Sequence, residues 1–136
     1  IGNKNNNKNI GSIRLSFRVG ADLSNSDRIN VTFYNHNPFR NAGVVSANSG
    51  CTITSTDRSA TSPIAAVFSV PTTKTLVAAL TQGCRAESRV TIECDSRNLH
   101  VNDNSAGSHV NFQIEIGASS SSVTQKLYHQ FGYKIV

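Results

Sequence analysis

Residues 13–19 read Ile-Arg-Leu-Ser-Phe-Arg-Val. Ile13, Leu15, Phe17 and Val19 alternate strictly with Arg14, Ser16 and Arg18. Side chains of an extended strand point to opposite faces in turn, so this period puts every apolar group on one face and every polar group on the other. On a helix the same residues would be scattered around the whole circumference. The pattern therefore demands a strand, running from about residue 10 to 19, with one face buried and one wet. It returns at 28–34, where Ile29, Val31 and Phe33 alternate with Arg28, Asn30, Thr32 and Tyr34. It returns again at 88–94 through Val90, Ile92 and Cys94, and at 109–116 through Val110, Phe112, Ile114 and Ile116. Phe131, Tyr133 and Ile135 close the chain in the same phase. Phe17, Phe33, Phe68 and Phe112 all fall on apolar faces and are expected in the core.

Shorter strands are expected at 44–45, 51–54 and 98–101. The nearly continuous apolar run at 63–70 predicts a strand buried on both sides or at the sheet centre. Residues 20–27 and 102–107 are rich in Asn, Asp, Ser and Gly and read as turns. Residues 55–62 read as polar linker. Residues 74–82 are the best helix candidate: Thr72 or Thr73 as N-cap, Leu76, Val77 and Leu80 on one face, Gly83 as the stop. Residues 1–9 carry almost no apolar surface and are expected to be a flexible tail, leaving 10–136 as a single domain. Many short strands separated by polar turns predict an all-β fold. The expected architecture is an antiparallel β-sandwich, immunoglobulin-like or jelly-roll, with at most one short helix.

The three cysteines, Cys51, Cys84 and Cys94, show no C-x-x-C pair and no histidine at finger spacing, which argues against structural zinc. Cys51 shares a face with Ile53, and Cys94 shares one with Val90 and Ile92. Two inward cysteines far apart in sequence suit a bridge between packed strands or sheets, Cys51–Cys94. Cys84–Cys94 is the rival pairing, and either leaves one thiol over. A disulfide, an Asn/Ser/Thr-rich surface and a start at Ile1 rather than Met predict a processed or excised extracellular or cell-surface protein. No apolar run approaches the roughly 20 residues of a membrane-spanning helix.

The chain has no G-x-S-x-G elbow, no H-E-x-x-H and no phosphate-binding glycine loop, and nothing pairs its eight acids across a cleft. The expectation is a non-enzyme without metal or cofactor. His36, His100, His109 and His129 stand at no metal-ligand spacing. The Asn30-Val31-Thr32 sequon has the weight of a chance match. The net charge of +5 is spread along the chain rather than clustered, which argues against a nucleic-acid partner. If the first two strands are neighbours, Arg14, Arg18, Arg28 and Tyr34 share an exposed face. Guanidinium groups on such a face bind carboxylate, sulfate or phosphate. The loop at 35–41, with His36 and Arg40, is the second candidate binding element.

Three functions fit these features. The first is a structural or adhesive surface protein, fimbria-like, whose terminal strands complete a neighbour's sheet. The second is a lectin-like or polyanion-binding module for glycosaminoglycan or sialylated glycan. The third is a capsid-type jelly-roll subunit, for which Lys4 and Lys8 make a thin basic arm. The expected partners are a second copy of the chain or a cell-surface glycan or protein.

Overall fold

The computed structural model describes residues 12–34, 37–45, 50–57, 60–95, 98–99, 109–117 and 123–134; for 44–45, 109–111 and 123–134 it describes the backbone. The expected tail at 1–9, the turn at 102–107, His36 and His100 lie outside the described residues. Ten strands follow in chain order: β1 (Ser12–Arg18), β2 (Arg28–Phe33), β3 (Val44–Val45), β4 (Cys51–Asp57), β5 (Ala60–Pro63), β6 (Ala66–Thr72), β7 (Thr75–Leu80), β8 (Arg89–Asp95), β9 (His109–Gly117) and β10 (Val123–Lys134). They form two antiparallel sheets, β1-β8-β4-β5 and β10-β9-β2-β7-β6-β3. The chain is an all-β sandwich, and no α-helix occurs among the described residues.

The alternation at 13–19 is realised as predicted. Ile13, Leu15, Phe17 and Val19 are buried, and the residues between them are exposed. Ile29, Val31 and Phe33 from β2, Leu76, Ala78 and Leu80 from β7, and Ile114 and Ile116 from β9 supply the facing layer. Phe33 anchors an aromatic cluster, edge-on to Phe39 at 6.2 Å and tilted to Phe112 at 5.7 Å.

The strand pairing is nested. β1 pairs with β8, β2 with β7, β3 with β6, and β4 with β5. The arrangement is one long hairpin wound around the core, the jelly-roll principle. An immunoglobulin sheet instead joins sequence-adjacent first strands. β9 and β10 extend the six-stranded sheet outward from β2.

The β1–β8 and β2–β7 ladders share one unbroken register, carried across the sheet-to-sheet crossing by the bridge Leu23↔Cys84. The two crossing segments are near copies of each other. Leu23 and Cys84 exchange both backbone hydrogen bonds, at 2.9 and 3.0 Å. Ser26 N–H donates to Leu80 O as Glu87 N–H donates to Val19 O, each at 2.8 Å. Ser26 and Glu87 are the only non-glycine residues with positive φ among those described, 80° and 67°.

Three expectations are corrected. Residues 75–80 form strand β7, not a helix: Leu76, Ala78 and Leu80 are buried in alternation, and a Thr73-Lys74 turn joins β7 to β6. Val77, counted on the helical stripe with Leu76 and Leu80, is a half-buried outward position of the strand. Residues 55–57 and 60–62 are no linker but the end of β4 and most of β5, paired Ser/Thr-rich strands whose side chains stay at least partly wet. The run at 63–70 is not buried on both sides, although β6 does lie inside its sheet, between β7 and β3. β6 starts at Ala66, buries Phe68 and Val70, and leaves Val67 exposed.

Candidate functional site

The outward face of the four-stranded sheet is set by the same alternation that fills the core. Three rows of side chains cross it: Arg14, Glu93 and Thr52; Ser16, Thr91 and Thr54; Arg18, Arg89, Thr56 and Thr61. The middle of the face is held by hydroxyls. Ser16 Oγ and Thr91 Oγ1 are 3.1 Å apart, Arg89 Nη1 donates to Ser16 Oγ at 3.4 Å, and Thr56 and Thr61 hydroxyls bond at 2.8 Å.

At one end of this face lies a cleft of about 400 Å³ lined by Arg18, Thr56, Asp57, Glu87 and Arg89. Arg18 and Arg89 stand directly opposite each other in the register. Like charges in that position repel. Among the described residues neither has a carboxylate within salt-bridge distance. Asp57 faces Arg85 instead, at 3.8 Å on an exposed rim where such a pair adds little stability.

The predicted arginine face is split. Arg14 and Arg18 sit on β1 in the four-stranded sheet, whereas Arg28 sits on β2 in the six-stranded sheet, opposite Gly117 and Ala79. The chain crosses between sheets at Leu23, so β1 and β2 are not neighbours. Tyr34 is exposed at the end of β2, and its hydroxyl donates to Gln113 Oε1. The described part of the 35–41 loop, 37–41, is tied down. Phe39 is 1% exposed and bridges Leu99, and its N–H donates to Thr73 O. Buried Asn98 clamps the next residues: its Oδ1 accepts from Asn41 N–H and its Nδ2 donates to Asn41 O, both at 3.1 Å. Arg40 is exposed, as is Asn41, and lies on neither arginine row. Asn30 of the sequon sits half-buried on β2 between β7 and β9.

The disulfide is Cys51–Cys94. It joins directly opposed residues of neighbouring strands in one sheet, rather than linking the two sheets, with Cα atoms 4.0 Å apart. Cys84 is the free thiol. Burial, then the charge of nearby Asp22, raises its pKa. Among the described residues no group of three His, Cys, Asp or Glu could hold a metal ion. A second cleft of about 480 Å³, lined by Cys51, Ile53, Ile64, Ala66 and Phe68 among others, opens between the sheets beside the disulfide.

Arg89, Glu87 and Asp57 were missed by sequence reasoning. Arg89 was within reach, because it lies in opposite phase to Val90, Ile92 and Cys94 and so had to point outward. Comparison with protein-family models, with curated proteins and with solved structures finds no match.

Proposed function

We propose that the chain is a structural or adhesive subunit of an extracellular or cell-surface assembly, fimbria-like, in which a terminal strand of one copy adds to an open sheet edge of the next. The observation that carries this reading is the position of the two terminal strands. β1 ends the four-stranded sheet and β10 ends the six-stranded sheet, each paired on one side among the described residues. The phase of the ladder follows from printed bonds. Asp95 N–H donates to Gly50 O, and Val19 N–H donates to Ser88 O. Antiparallel strands alternate their bonding sides residue by residue. The odd residues of β1 therefore bond to β8, while Ser12, Arg14, Ser16 and Arg18 turn their N–H and C=O groups to the free edge. Such an edge is a template for another chain. The disulfide suits an oxidising compartment.

The test is molar mass by light scattering across a concentration series, for the native chain and for Ser16→Pro. Proline at this site removes an edge donor without touching the β8 ladder. The native chain is expected to gain mass with concentration, and the variant to stay folded and monomeric, its melting midpoint lowered only by loss of the Ser16 hydroxyl bonds to Thr91 and Arg89. A native chain monomeric throughout, or a variant that assembles equally well, overturns the proposal.

A second reading, a lectin-like or polyanion-binding module, is supported by Arg18 and Arg89 in one cleft, neither with a carboxylate in salt-bridge range among the described residues.

A further inference from the structure

Building on that second reading, we infer that the Arg18–Arg89 cleft is a subsite for an acidic sugar, with the two guanidinium groups on the sugar carboxylate and Asp57 and Glu87 accepting from its hydroxyls. Arg18↔Arg89 is a pair that exchanges no backbone bonds, by the phase established for β1, and side chains of such pairs approach most closely. Two guanidinium groups lining one cleft repel unless an anion is shared between them, and a carboxylate accepts charge-assisted bonds from both, with Arg89 Nη1 keeping its bond to Ser16 Oγ.

The acids select among anions. Asp57 and Glu87 line the same cleft, so a doubly charged phosphate or a densely sulfated chain meets repulsion. A singly charged sugar that also offers hydroxyl donors satisfies both halves of the site. The volume, about 400 Å³, falls within the roughly 300–1,000 Å³ of small-ligand sites.

The molecule contains its own control for the charges. The two crossing segments share one backbone geometry, yet Arg85-Ala86-Glu87 on one stands where Ser24-Asn25-Ser26 stands on the other. The Ser24–Ser26 turn is held by the Asp27 carboxylate, which accepts from Ser24 N–H and Oγ, and it carries no charge at the places of Arg85 and Glu87. The charges of Arg85 and Glu87 are therefore not required by the corner, and Glu87 is left to line the cleft.

The experiment is an NMR titration of the native chain with trigalacturonate and with sialyllactose, set against neutral lactose and inorganic sulfate. The two acidic sugars separate a uronic from a sialic source. The expected result is millimolar binding of at least one of them, with shifts centred on the amides of Arg18, Thr56, Glu87 and Arg89. Arg18→Ala and Arg89→Ala should each weaken it roughly tenfold, the loss of a charge-assisted partner. Lys74→Ala, which removes the same charge from an exposed turn, should leave it unchanged. Glu87→Gln should raise sulfate binding relative to sugar, a change that a general surface-charge effect does not produce selectively. Acidic-sugar binding that maps elsewhere and survives Arg18→Ala overturns the inference and leaves the module reading standing. Absence of binding to both sugars and to sulfate overturns both.

Discussion

Gly83 shows how closely the two crossing segments approach. A Cβ built on it would lie 2.0 Å from the Leu23 carbonyl oxygen and 2.9 Å from its carbon, both backbone atoms that cannot swing away. Gly43 is the opposite case: its φ is +79°, and a Cβ there would meet nothing within 4 Å. Gly83→Ala should therefore cost about 3 kcal/mol by overpacking, against about 1 kcal/mol for Gly43→Ala from backbone strain alone. Urea denaturation of the two variants checks the order; equal costs would mean that the ribbon can part at its crossing. Sequence reading took Gly83 for a helix stop. A glycine required by close approach of another chain segment looks no different, in sequence, from one required by φ. Arg28 failed for a related reason. Its outward phase was legible from Ile29 and Val31, but phase says which face of a strand a residue occupies, not which sheet the strand joins.

At the scale of elements, the alternating strands were legible because burial on one face leaves a period that no other structure explains. β7 was harder, since Leu76, Val77 and Leu80 satisfy a helical stripe as well as Leu76, Ala78 and Leu80 satisfy a strand. The tertiary partner decided it: β7 fills the slot between β2 and β6, and both its ladders need extended backbone. β4 was read too short because its second half, Ser55, Thr56 and Asp57, offers no apolar signal. Its partner β8 holds it in place along with the Cys51–Cys94 disulfide. That bridge spans a sequence separation of 43, for which loop entropy in the unfolded chain gives roughly 4 kcal/mol. Replacing both cysteines by alanine should lower the unfolding free energy by 2–4 kcal/mol on this basis, measured by urea denaturation at matched pH. A loss below about 1 kcal/mol would show that the β4–β8 ladder already restricts the unfolded chain.

Across the whole molecule, the nested pairing brings the first and eighth strands together, which no local pattern could reveal. One signal was present: Asp27-Arg28-Ile29-Asn30-Val31 and Ser88-Arg89-Val90-Thr91-Ile92 share their pattern of polar and β-branched residues, and they occupy equivalent places after the two crossings. The same winding leaves β1 at one sheet edge, and β10 extends the other sheet to an edge of its own. The central claim, that the free edge of β1 joins copies of the chain, is tested most directly by amide-resolved hydrogen exchange at low and high protein concentration. The amides of Ile13, Leu15 and Phe17 should be protected at both, because they bond to β8. Those of Arg14, Ser16 and Arg18 should exchange fast when dilute and become protected when concentrated. Fast exchange of these three at every concentration would contradict the account.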